Sequence, residues 1–385
     1  MADKRKGSSN KEYGDSYQYR TPRNTSSRNK EAGFEDVSSY SSSREYNKRK
    51  KNKKGKTIAK SLIAVFCAIL IIAGAIFIYA STYLFEGLTT NPLPRDPSEL
   101  GINSGVESHS DIKNIALFGV DARGDNMEGR SDAIMILSID NVHNKLKLTS
   151  LLRDSLVEME NGSYAQEKLN HAYVYGQDGA LNAIQTINKN YNLDISDYVT
   201  VNFAKMAKIV DACGGARVTI TEGEMYEIND NLDLLTLDDP TAVVYDSDYM
   251  YEYGNLVLNG NQAVAFARIR NIGGDDGRAG RQQMVLQGLL ANLAGTSLGD
   301  YQNLVREVVQ YCETSLQADA IFTFLPILFN DYSLETLTVP GEYEQAYDDY
   351  AADGLWVYVY DLERASRHID VFIKEEESPY YPLGE

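Results

Sequence analysis

SLIAVFCAILIIAGAIFIYASTY, from Ser61 to Tyr83, runs without a single charged side chain, and it constrains this chain more than any other stretch. Wound as a helix it is roughly 34 Å long, enough to cross a hydrocarbon core of about 30 Å. It also separates two unlike parts. Residues 1–60 hold 17 Lys+Arg against 7 Asp+Glu, about +10, and the remainder holds 20 against 48, about -28, within a chain of formal charge -18. The basic run KRKKNKKGKTIAK, Lys48–Lys60, directly precedes the span. Cytoplasmic segments carry the excess of Lys and Arg, so the N-terminus is expected inside and everything beyond Tyr83 outside. A cleaved signal peptide has a shorter apolar run and a leader of only a few residues, so residues 57–83 read as a retained transmembrane helix in a single-pass cell-membrane protein.

Residues 1–56 are rich in Ser, Lys, Arg, Asn and Tyr and nearly free of aliphatic side chains. Such a tail buries too little apolar surface to offset chain entropy and is expected to be disordered, its basic part against anionic lipid. No nucleic-acid partner is expected, because no folded module accompanies the charge. Residues 84–110, with three prolines and many small polar residues, read as an extracellular linker. Residues 111–385 then form one catalytic-sized domain. Cys213 and Cys312 lie in the exported part, where oxidation is permitted, and are expected to pair; two buried free thiols are the other state.

Within the domain, 114–120, 133–140, 145–151, 198–203 and 216–220 read as strands. Residues 172–190, 203–213, 259–267 and 278–294 read as helices, two more follow between Asp300 and Asn330, and two strands and a helix close the chain. The acidic segment 221–256 reads as an irregular excursion. Strands alternating with helices predict an α/β fold, a layered α/β/α sandwich around a central mixed sheet.

Four clusters carry chemistry. ARIRNIGGDDGRAGRQQ, Ala267–Gln283, sets Arg268 and Arg270 on one side of a glycine-rich connection and Arg278, Arg281 and Gln282 on the other, at helical spacing. Converging guanidinium groups repel unless an anion lies between them, and their forks match phosphate oxygens. GVDARGDNMEGRSDAIMI brings Asp121, Arg130 and Asp132 to one strand end, where two carboxylates suit a hard divalent cation. SLLRDS adds Arg153 and Asp154, and KLNHAYVYG adds Asn170, His171 and Tyr175, the histidine reading as a hydrogen-bonded structural group.

The order GVDxR, RSDAIM, a strand ending in RD, NHAYxxG and AxARxR…DxxRxxRQ resembles the LytR-CpsA-Psr family from about Asn114 to the C-terminus. The resemblance implies a membrane-anchored transferase acting outside the cell. Such an enzyme moves an anionic glycopolymer, of teichoic acid or capsule type, from an undecaprenyl-pyrophosphate carrier to a peptidoglycan acceptor as a phosphodiester. It implies Asp121 and Asp132 as ligands of Mg²⁺ (Mn²⁺ as an alternative), and Arg130, Arg153, Arg268, Arg270, Arg278 and Gln282 as pyrophosphate-binding residues with Arg281 beside them. Asp275 is implied as the proton acceptor, with Arg153 and Arg278 at the reacting phosphate; Asp276 is the alternative base, because the connection from Arg270 is short. Leu152 stands where the family usually has proline. A non-catalytic receptor for lipid-linked wall precursors and a polyprenyl pyrophosphatase remain the competing functions. Helices Met284–Leu293 and Ile321–Phe329 are candidate walls for a lipid tail.

Overall fold

The computed structural model describes residues 82–375 except 107, 109, 123–126, 177, 239–241, 295–297 and 318–331. The expected tail, nearly all of the expected span and the candidate wall 321–329 lie outside the described residues. Among the described residues no helix is long and apolar enough to cross a membrane.

Among the described residues thirteen strands run in chain order: β1 (Thr89–Thr90), β2 (Ile112–Val120), β3 (Ser131–Asp140), β4 (Lys145–Leu151), β5 (Leu156–Glu158), β6 (Gln166–Lys168), β7 (Asp197–Asn202), β8 (Ala216–Ile220), β9 (Gly254–Leu258), β10 (Glu313–Thr314), β11 (Ser333–Val339), β12 (Tyr347–Tyr350) and β13 (Trp356–Val359). Seven of them form the central sheet in the order β1-β10-β7-β2-β3-β4-β11. It is mixed: β2 pairs antiparallel with β3 and parallel with β7, and β4 pairs antiparallel with β3 and parallel with β11.

Strand periodicity sends alternate side chains to opposite faces. On one face Ala116, Phe118, Val120, Ile134 and Ile136 pack with Ile184 and Ile187 of helix α1 (Gly179–Tyr191) and with Ala365 and Ile369 of the C-terminal helix Leu362–Lys374. The other face is covered by α2 (Phe203–Ala212), α4 (Gly260–Ala267) and α5 (Gly274–Ala294), where Leu117, Leu137 and Val199 pack near Leu290. The expected three-layer sandwich is thus observed.

Three features differ from expectation. The acidic stretch after Ile220 is ordered: Glu222–Asp238 is helix α3, and β9 follows it to pair with β8. Met225, Ile228, Leu232 and Leu235 are the buried stripe of α3, a 3.6-residue period diluted by the acids between them. The linker packs onto the domain. Its Thr89 and Thr90 pair with β10, and Leu93 and Leu100 are 5% and 2% exposed. Finally, Cys213 and Cys312 are free thiols. Cys213 caps α2 and Cys312 donates to the Val308 carbonyl, and burial pushes their thiols up, to about 11 and about 12.

Candidate active site

Every part of the site hangs from the end of the sheet where β2 and β4 finish and β3 begins. Between Gly119 and Val120 the β2–β3 register slips, so that Val120 faces Ser131 and Asp132 becomes the extra residue of a bulge. A bulge re-aims its side chain, and here Asp132 turns to the α5 face. Asp121 follows β2, donates its N–H to the Arg130 carbonyl and is exposed, as is Arg130. Gly129 is required at this turn, because a Cβ there would come within 2.5 Å of the Asp121 carbonyl oxygen.

Arg153, just beyond β4, donates from Nη1 to Asp132 Oδ1 at 2.6 Å and from Nε to Asp154 Oδ2 at 3.1 Å. Arg270 Nη2 lies 3.3 Å, and Arg278 Nη1 3.9 Å, from Asp132 Oδ2. Asp275 completes the group, its Oδ1 at 3.1 Å from Arg278 Nη2 and 3.8 Å from Arg153 Nε. Arg153, Arg270 and Arg278 therefore share three carboxylates, Asp132, Asp154 and Asp275, drawn from three separate segments of the chain. The strain falls on Arg278, which is 5% exposed: burial first and then the Arg153 charge press its pKa down to about 10. Arg278 Nε and Asp275 Oδ1 are buried and make no hydrogen bond within the described residues. The Asp275–Arg278 contact is an ion pair out of hydrogen-bond alignment. Next door, Asp276 is raised by burial and by the Asp275 charge.

The turn from the connection into α5 depends on glycine. A Cβ on Gly277 would sit 2.6 Å from the Ile272 carbonyl oxygen. From there one stripe of α5 carries Arg278, Gln282, Val285, Leu286 and Leu289. The last four line an apolar cavity of about 230 Å³ between α5 and the sheet. Leu117, Met135 and Val201 form its floor, and Phe203 and Met206 of α2 close a side. Among the lining residues only Gln282 and Asn202 carry polar side-chain groups besides the Cys312 thiol, and Asn202 is occupied in capping α2. Arg268 stacks over the Phe203 ring, 5.4 Å from its centre, at the edge of this cavity. The chain thus builds a cationic end and an apolar slot along one helix, an arrangement suited to an amphiphile with an anionic head.

Arg281 goes elsewhere. It is 4% exposed, donates from Nε to Glu224 Oε1 at 2.8 Å, and gives its two terminal nitrogens to the carbonyls of Ile269 and Ile272. It staples α5 to α3 and to the arginine-bearing connection instead of joining the cluster.

Sequence reasoning missed one support, Lys168, and named a second, Asn170, without its role. Lys168 holds Asp154 at 2.6 Å, and Asn170 donates its backbone N–H to the Arg153 carbonyl while its buried Oδ1 has no described partner. The signal for Lys168 is the KLN tripeptide, where it stands two residues before Asn170. His171 is a buried group on Glu167 Oε2 at 3.0 Å, which also accepts from the Tyr175 hydroxyl.

Residues 88–370 match the LytR_cpsA_psr family. The polyisoprenyl-teichoic acid--peptidoglycan teichoic acid transferase TagU of Bacillus cereus (strain AH820) is 32% identical over 301 residues, covering 75% of this chain and 88% of the relative. The fold matches that of Bacillus subtilis TagT, with a TM-score of 0.54 at 20% identity over 74% of this chain and 99% of TagT. It also matches YwtF (TagT) with bound octaprenyl pyrophosphate lipid, with a TM-score of 0.53 at 18% identity over 74% and 99%. On its bulged carboxylate, its shared arginines and this extent of likeness, the chain belongs to the LytR_cpsA_psr family.

Proposed function

We propose that this chain is a membrane-anchored phosphotransferase that moves a phosphate-bearing glycopolymer, teichoic acid or capsule, from a polyprenyl-pyrophosphate carrier to peptidoglycan. The observation that carries the reading is the α5 stripe, which runs from the shared guanidinium groups directly into an apolar cavity. The names of the relatives support the same chemistry, and a single N-terminal span with a cytoplasmic tail would hold the domain at the leaflet that presents the carrier.

Arg153, Arg270 and Arg278 bind the pyrophosphate oxygens, and the partial charges they already share pass from Asp132 and Asp275 to the ligand. Arg130 and Arg268 complete the rim. Gln282 meets the junction of head and tail, and the tail occupies the cavity beyond. Asp121 and Asp132 fit a hard divalent cation, being two carboxylates on adjoining strand ends. Mg²⁺ or Mn²⁺ held there would neutralise charge on the pyrophosphate. An acceptor hydroxyl attacks the phosphorus that bears the glycan, the bond to the polyprenyl phosphate breaks, and polyprenyl phosphate leaves with the bridging electron pair. The hydroxyl proton goes to the Asp275–Asp276 pair: Asp275 faces the guanidinium groups, and Asp276 beside it is raised by burial and by the Asp275 charge.

The test is product identity. The full chain in detergent is given a lipid-pyrophosphate-linked glycan with and without a peptidoglycan oligosaccharide. Transfer predicts a glycan–phosphodiester–peptidoglycan conjugate and polyprenyl phosphate that depend on the acceptor. Equal release of polyprenyl phosphate without acceptor would make it a pyrophosphatase, and binding without turnover would make it a receptor.

A further inference from the structure

The β12–β13 hairpin is the element beside the cluster to which the transfer reading gives no task. Its register pairs Asp348 with Tyr358 and Tyr350 with Trp356. Directly opposed residues share a face, so Asp348, Tyr350, Trp356 and Tyr358 stand on one side. The other side is anchored by Val357, which is fully buried. On the first face Tyr350 is 71% exposed, Trp356 and Tyr358 are half-buried, and the Trp356 and Tyr358 rings meet edge to face at 4.6 Å. The result is a strip of aromatic rings open to solvent at one end.

The other end of the strip points into the candidate active site. Tyr358 donates its N–H to the Asp154 carbonyl at 2.9 Å. Lys168 lies 5.8 Å from the Trp356 ring centre and 2.6 Å from Asp154 Oδ1, and Asp154 in turn holds Arg153. Burial, and then the charges of Asp276 and Asp275, push the Tyr358 hydroxyl up to about 12. The rings therefore lead from bulk solvent to the carboxylate pair that takes the proton.

Charge decides what lies on them. Residues 341–360 carry Glu342, Glu344, Asp348, Asp349 and Asp353 and no lysine or arginine. A phosphate-bearing polymer is repelled from such a surface. An uncharged sugar strand is not. Its polarised C–H faces rest on the electron-rich faces of aromatic rings, and its hydroxyls donate to carboxylates.

Resting on the transfer reading above, we infer that the Tyr350–Trp356–Tyr358 face binds the acceptor, a neutral glycan strand of N-acetylated hexosamines, and delivers its hydroxyl to Asp275 and Asp276. Donor and acceptor then approach from different sides, the polyanion along the arginines and the neutral strand along the hairpin.

Trp356 is the only tryptophan of the chain, so its fluorescence reports on this face alone. The full chain in detergent is titrated with a β-1,4-linked N-acetylglucosamine tetrasaccharide. A saturable emission change is expected, at least fivefold weaker in affinity for Tyr350→Ala, whose exposed side chain can be removed without touching the core. In the transfer assay Tyr350→Ala and Trp356→Ala should raise the acceptor KM at least fivefold, with the loss falling on KM rather than kcat, and Trp356→Phe should recover most of it. A flat titration, or an unchanged acceptor KM in Tyr350→Ala while the wild type transfers, overturns the inference. A saturable titration by a wild type that transfers nothing overturns the transfer reading and leaves the glycan face standing.

Discussion

Arg278 and Arg281 lie within one turn of the same helix, are about equally buried, and should fail in opposite ways when replaced. Arg281→Ala removes three hydrogen bonds at once and leaves Glu224, 9% exposed, with Thr221 as its one hydrogen-bond partner among the described residues. Removing one member of a buried charge pair costs about 3–5 kcal/mol, which lowers Tm by roughly 10 °C for a domain of this size. The folded fraction should still bind lipid pyrophosphate, because the side chain does not face the cluster. Arg278→Ala relieves a guanidinium pressed against Arg153 and leaves Asp132 and Asp275 with Arg153 and Arg270. Its effect on stability should stay within about 1 kcal/mol, while affinity for a polyprenyl pyrophosphate falls about 30- to 100-fold, the worth of roughly 2–3 kcal/mol of charge-assisted contact. Thermal melts by circular dichroism and isothermal titration with a short-chain polyprenyl pyrophosphate read the two quantities separately. Were Arg281→Ala to melt with the wild type and lose the ligand, the division of labour between the two arginines would be refuted.

Leu286→Trp should block the cavity, abolishing binding of a long-chain carrier while inorganic pyrophosphate still competes at the cluster; equal loss of both in titration would refute separate head and tail sites. Gly277→Ala should cost about 1–3 kcal/mol, because its Cβ meets the Ile272 carbonyl and displaces the arginine-bearing connection, and a denaturant melt checks it. Burial alone would raise Asp140, yet hydrogen bonds from Lys147 and His143 hold it at about 2, below the usual carboxylate value of 3.8. That stabilisation, of about 2 kcal/mol, is present above the unfolded value and lost as pH falls towards 2. Lys147→Met should therefore move the acid-unfolding midpoint to higher pH, read by circular dichroism.

The sheet strands with continuous apolar runs and the glycine-punctuated arginine motif were legible from sequence, because both signals are local. Helix α3 was hidden because its buried stripe is interrupted by acids that face solvent. Half of the hairpin was hidden too: β13 falls within one of the closing strands read from sequence, but the four exposed residues of β12, Tyr347–Tyr350, have no alternating burial to betray a strand. Arg281 shows a different limit. Neighbouring helix positions diverge by roughly 100°, so Gln282 can line the cavity while Arg281 turns to Glu224, and only the position of α3 decides which of the two serves the site.

Because cationic head and apolar slot ride on a single rigid helix, α5 is a ruler. From Arg278 to Leu289 it measures roughly 16 Å. Inserting one residue between them would swing the slot lining about a quarter-turn away from the guanidinium groups, so head and tail recognition cannot drift apart in evolution without losing both.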